Sequence, residues 1–183
     1  MYFLAGFLIV LLVIIVIFAF PQFSPIPYFP SNGKDIPLIL STLNIRTNQV
    51  VIDLGAGDGV VILRAAERAF KKKLNTKFIA VEINPVLLLV LHIRRLLHPN
   101  RNNIIIMSVN MFTCDYSAFR LSAFDFMTFY IYISPWFIEK TVNNISTQVK
   151  KFDLVSYFYQ VKNLQKHKET IQEGVHEIFS YRS

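Results

Sequence analysis

The chain has 183 residues, with 19 Lys and Arg against 12 Asp and Glu, a net charge of +7, and one cysteine, Cys114. A single cysteine excludes an intramolecular disulfide and offers no thiolate cluster for a metal, and Cys114 reads as a small apolar core residue. The basic balance carries no arginine-rich motif, so it reads as a solvated surface, and no nucleic-acid partner is expected.

Residues 1–20, MYFLAGFLIVLLVIIVIFAF, contain no Asp, Glu, Lys or Arg. About twenty apolar helical residues suffice to span a hydrocarbon core of roughly 30 Å. The run lacks a basic leader, exceeds the roughly 7–15 apolar residues of a signal peptide, and has no small-x-small cleavage site before Pro21. It is therefore expected to be a single transmembrane helix that anchors the chain to a membrane, with the basic remainder on the cytoplasmic side. Residues 21–32 hold four prolines, at positions 21, 25, 27 and 30. Proline favours extended backbone, so this is a semi-rigid linker. Residues 33–183 suit one domain of common size.

Within that domain a short helix is expected over Asp35–Leu43, then a β-branched apolar strand over Gln49–Leu54, of the kind buried on both faces of a parallel sheet. Val60–Lys71 places Arg64, Glu67, Arg68 and Lys71 opposite Ile62, Ala65, Ala66 and Ala69, an amphipathic helix. A second strand runs from Lys77 to Ile83. Asn84-Pro85 supplies a cap and a first helical proline, opening a helix to about Leu97 that His98-Pro99 closes. Its stretch from Val86 to Leu91, VLLLVL, is apolar all round and predicts a buried helix. Further strands are expected over Asn103–Val109, Phe126–Ile133, Asp153–Gln160 and Val175–Arg182, with a helix over Trp136–Lys150. Alternating strands and helices give a Rossmann-like, doubly wound α/β fold with a mostly parallel sheet, preceded by the transmembrane helix. Such sheets bind ligands outside the carboxyl ends of their strands.

The loop Gly55-Ala56-Gly57-Asp58-Gly59 follows the first strand and opens a helix, the context in which a glycine loop approaches a ligand. The phosphate-loop pattern needs Gly-Lys-Ser/Thr, which is absent. The dinucleotide fingerprint needs Gly or Ala at its sixth position, where Val60 stands. The pattern is instead Asp53-x-Gly55-x-Gly57-x-Gly59. A carboxylate there repels a pyrophosphate and suits the ammonium of an amino acid. Asp58 either caps the following helix or meets the ligand. Glu82, 23 residues after Gly59 at the end of the second strand, is placed to accept hydrogen bonds from ribose hydroxyls. Asn110 follows the third strand, where an amide can address an adenine edge. An amino acid cation, a ribose and a base together describe S-adenosylmethionine.

VIDLGAGDG followed by AVEINP resembles the cofactor motifs of class I, seven-strand S-adenosylmethionine-dependent methyltransferases. With the apolar N-terminus, PYFPS, YIYISP and SYFYQ, the chain is similar to the membrane-anchored protein-lysine methyltransferases related to the mitochondrial enzyme that acts on the ATP synthase c-subunit. The resemblance implies that Asp53, Gly55, Gly57, Asp58, Glu82 and Asn110 hold S-adenosylmethionine, Asn110 standing where the family has Asp and Val60 where relatives carry Arg. It implies a substrate side formed by Tyr28, Pro30, Ser134, Pro135 and Trp136, no metal, and a lysine of a membrane-associated protein as acceptor. The Ser134-Pro135-Trp136 run is not the Asn/Asp-Pro-Pro-Tyr/Phe pattern that grips the planar amino group of a nucleobase or glutamine. A membrane-bound small-molecule or lipid methyltransferase, and a catalytically degenerate cofactor-binding module, are the alternatives. No catalytic base is expected, because an ammonium entering a desolvated pocket loses affinity for its proton.

Overall fold

A computed structural model describes residues 2–19, 28–119, 121 and 124–182. The linker expected over 21–32 lies outside the described residues up to position 27. Helix α1 (Tyr2–Ala19) precedes α2 (Ile36–Thr42), β1 (Gln49–Leu54), α3 (Val60–Lys71), β2 (Thr76–Glu82), α4 (Pro85–Leu96), β3 (Ile104–Ser108), β4 (Phe126–Ile131), α5 (Pro135–Gln148), β5 (Asp153–Tyr157), β6 (Lys168–Glu173) and β7 (Glu177–Arg182).

Seven strands form one sheet in the order β3-β2-β1-β4-β5-β7-β6. Strands β1 to β5 are parallel, β7 runs antiparallel to β5, and β6 pairs antiparallel with β7. Strand order reverses between β1 and β4, which puts the ligand crevice at their carboxyl ends. Every residue of β1 is buried because helices cover both faces. Val50, Ile52 and Leu54 face the layer holding α5. Val51 faces the layer holding α2, α3 and α4. Side chains alternate along a strand, so Asp53 shares the face of Val51. It lies in register between Ala80 of β2 and Tyr130 of β4.

The expected transmembrane anchor is overturned. Among the described residues no helix is long and apolar enough to cross a membrane. Helix α1 has 18 residues, which at about 1.5 Å each reach about 27 Å, short of a hydrocarbon core of roughly 30 Å. The single-pass membrane location inferred from residues 1–20 goes with it.

Helix α4 departs from expectation in another way. Asn84 caps it as its position predicts, its Oδ1 accepting the Val86 and Leu87 N–H groups at 2.9 and 3.4 Å. Only Leu87 and Leu91 are buried, however, while Leu89, Ile93, Leu96 and Leu97 are exposed. An all-round apolar sequence gives no periodicity from which to read a buried face, and here one side alone meets the sheet.

Gly59 shows why the glycine spacing is needed. It caps α3 with φ at 79°, and a methyl group there would collide with Leu91 Cδ2 and lie 3.3 Å from Leu63 Cδ1. Leu91 is buried, so its side chain must shift within the core to admit the methyl group. Gly59→Ala should therefore destabilise the fold by about 2–4 kcal/mol, left-handed strain adding to overpacking. Urea denaturation of the purified variant measures it, and a loss below about 0.5 kcal/mol would contradict the packing described.

Candidate functional site

Three carboxylates and three glycines converge at the carboxyl ends of β1 and β2. Gly55, Gly57 and Gly59 have φ of 74°, 59° and 79°, the left-handed region that glycine enters without a Cβ penalty. The loop is tied to its neighbouring strand: Gly55 and Ala56 N–H groups both reach the Val81 carbonyl at 2.9 Å. Gly57 N–H donates to Glu82 Oε2 at 2.8 Å. The other Glu82 oxygen accepts the Ile83 and Asn84 N–H groups at 2.8 and 2.9 Å. Glu82 is thus buried yet fully held, its carboxylate fixed beside the middle glycine.

Asp53 is 3% exposed at the end of β1. Burial, followed by the negative charges of Glu82 and Asp58, pushes its carboxyl up to about 8 against an ordinary 3.8. A site built this way is short of positive charge. Asp58 is already engaged, since Arg94 Nη1 donates to its Oδ2 at 2.5 Å and to its carbonyl at 2.7 Å. Its Oδ1 accepts the Val60 N–H at 3.3 Å. The Tyr28 hydroxyl stands beside Asp58, and burial together with that carboxylate's charge raises the phenol to about 12.

The described cavity at the loop is small, about 20 Å³, and is lined on one side by Tyr28, Phe29, Pro30 and Ser31. Its other wall includes Asp53, Gly57, Val60, Tyr130 and Tyr132. Of the expected cofactor residues, Asp53, Gly55, Gly57 and Asp58 line this cavity. Glu82 reaches it through its bond to Gly57. Asn110 is half-buried, with Oδ1 accepting the Phe112 N–H at 2.9 Å. Next to it, Met111 approaches the loop, its methyl 3.0 Å from a Cβ built on Gly55.

Of the residues expected on the substrate side, Tyr28 lies over Gly57 and Pro30 lines the same cavity. Ser134, Pro135 and Trp136 open α5 just after β4, with Trp136 84% exposed. Tyr130, Tyr132, Met111, Ser31 and Arg94 were not expected at the site. The two tyrosines had a readable signal, since they alternate on the face that carries Asp53. Arg94 had none, because 36 residues separate it from Asp58.

No protein-family model matches the chain, and no curated protein matches it either. Solved structures do. An RNA methyltransferase from Salinibacter ruber in complex with S-adenosyl-L-homocysteine aligns with a TM-score of 0.66 at 16% identity, over 84% of this chain and 93% of that one. The fold is that of the S-adenosylmethionine-dependent methyltransferases. The 23S rRNA methyltransferase ErmE aligns with a TM-score of 0.59 at 17% identity, over 85% of this chain and 70% of the other. A precorrin-6y C5,15-methyltransferase from Geobacter metallireducens gives 0.57 at 15%, over 82% and 88%. These neighbours act on RNA or on a precorrin, so the shared fold does not select an acceptor. The likeness to membrane-anchored lysine methyltransferases is not among what the fold shows.

Proposed function

We propose that the chain binds S-adenosylmethionine at the carboxyl ends of β1 and β2 and transfers its methyl group to an amine, a protein lysine being the acceptor that best suits the site. The observation that carries the cofactor assignment is the pairing of buried Asp53 with a left-handed glycine loop clasped by Glu82. The donor set fits the group. Among the described residues no cation faces Asp53, so it suits an ammonium or sulfonium, whereas a pyrophosphate would meet three carboxylates. Glu82 would take the ribose and the Asn110–Met111 corner the base.

S-adenosylmethionine supplies a methyl already activated on sulfur, so the chain's residues are left with positioning and desolvation. Tyr130, fully buried, and Tyr132, half-buried, wall the crevice on the β4 side. Their ring faces attract a cationic side chain while the apolar surroundings favour its neutral amine. Ser134-Pro135-Trp136 supplies no amide pair for a nucleobase edge, which supports lysine. With the anchor overturned, the reason to place that lysine on a membrane protein falls away.

An RNA base is the second reading, favoured by the net charge of +7 and by Trp136, whose exposed ring offers a stacking platform. Incubation of the full chain with radiolabelled S-adenosylmethionine and a cell extract, followed by separation into protein, RNA and organic fractions, decides. Label in protein as methyl-lysine is expected. Label confined to RNA would replace lysine by a base, and label in the organic fraction would indicate a small molecule or lipid.

A further inference from the structure

The cavity of about 20 Å³ between residues 28–31 and the glycine loop holds about one water, whereas ligand pockets run to roughly 300 Å³ or more. What fills the space is the chain itself. The Tyr28 ring lies so close over Gly57 that a methyl group on that glycine would be 2.6 Å from Tyr28 Cε2. Gly57 is the residue whose N–H is held by Glu82, so the ring covers the centre of the proposed cofactor seat.

The segment is fastened at few points, mostly by side chains. Its tyrosine hydroxyl faces the Asp58 carboxylate. Ser31 Oγ lies 2.9 Å from the Tyr130 hydroxyl. The Asn32 N–H donates to the Tyr157 hydroxyl at 3.3 Å. That hydroxyl donates in turn to Asp35 Oδ2 at 2.7 Å. Asp35 is the fixed end: it is buried and accepts the Val175 and His176 N–H groups at 2.7 and 3.0 Å. Upstream of it, no β-ladder bond holds residues 28–32 to the sheet. A short strap that turns onto a firm post through the Asn32 carbonyl and amide oxygens, which accept the Asp35 and Lys34 N–H groups at 3.0 Å, and that reaches the sheet through the Ser31 and Asn32 bonds, can lift without disturbing the core.

We propose that residues 28–32 are a plug which occupies the cofactor seat, so that the strap and S-adenosylmethionine compete for the face of Gly57. The proposal rests on the cofactor reading given above. Competition lowers apparent affinity by the fraction of molecules whose seat is open, and loosening the plug removes that loss. Calorimetric titration of S-adenosylhomocysteine into the full chain should therefore show Tyr28→Ala binding about tenfold tighter than the unaltered protein. Ser31→Ala, which removes only the Tyr130 latch at a partly exposed position, should gain about two- to fivefold. Hydrogen exchange of a peptide covering residues 28–33 should speed up when the ligand is added, because the Asn32 N–H loses its partner. Unchanged or weaker binding by both variants, or slower exchange on ligand addition, would make the strap a clasp and overturn the plug. Absence of binding by all three proteins would instead retire the cofactor site, and the plug with it.

Discussion

Asp53→Asn is expected to stabilise the fold at pH 8 while weakening cofactor binding about tenfold or more. In the folded chain Asp53 keeps its proton up to about 8, whereas its ordinary value is 3.8. Between those values the native state binds more protons than the unfolded state, so stability falls as pH rises from about 4 to about 8 and levels off above. Asparagine has the same shape and no proton to lose, so the variant should lack this slope. At pH 8 the gain should reach several kcal/mol at most, seen as a clear rise in melting temperature, and at pH 4 it should nearly vanish. Binding moves the other way. A cationic ligand favours ionised Asp53, so the affinity of the unaltered protein should climb between pH 6 and 8 with release of a proton, and this proton should be missing in the variant. Thermal melts at the two pH values test the first half. Calorimetry of S-adenosylmethionine in buffers of different ionisation enthalpy tests the second. A variant that is less stable at pH 8, or that binds as well as its parent, would show that Asp53 is an ordinary core residue and not a strained ligand group.

The sequence was most legible where local pattern and tertiary role agree. Strand β1 and helix α3 fall where periodicity places them, because the all-apolar strand is central and the amphipathic helix has one sheet to cover. Strand β6, KETIQE, was not expected, since it pairs on one side only, at the sheet edge, and carries the polar residues such edges use. Strands β4, β5 and β7 are two to three residues shorter than expected, because aromatic runs such as SYFYQ extend beyond the paired residues. Phe158 ends β5 with φ at 73°, a conformation no composition rule would anticipate. At the site, Asp53, the glycines and Glu82 were readable as a set, since each closes a strand or opens a helix. The ring of Tyr28 on Gly57 and the pairing of Arg94 with Asp58 were not, because long-range contacts leave no periodic trace. Residues 1–20 misled for a related reason: an apolar run reports what its residues avoid, and it does not fix the length of helix that forms.

Glu82→Gln should prove far from conservative. Glu82 Oε1 accepts two N–H groups, from Ile83 and Asn84, while Oε2 accepts that of Gly57. An amide has one acceptor oxygen and one NH2 group. If its oxygen stays on the Ile83 and Asn84 side, the NH2 confronts the Gly57 N–H, and the loop must move away. If the amide flips, two donors are left facing a donor. Either arrangement strands a buried N–H group, at a cost of about 1–3 kcal/mol in stability. The variant should also lose most of its affinity for S-adenosylmethionine, about a hundredfold, through loss of the charge-assisted bonds expected to the ribose and through displacement of Gly57. Glu82→Asp is the instructive partner, since it keeps the charge but retracts it by one methylene. It should preserve neither the Gly57 bond nor the ribose contact, and so should weaken binding without removing negative charge from the site. Calorimetric affinities for the two variants, beside urea denaturation, separate charge from reach. Equal binding by Glu82→Asp and the unaltered protein would mean that only the charge of Glu82 matters, and that its clasp on Gly57 does not shape the seat.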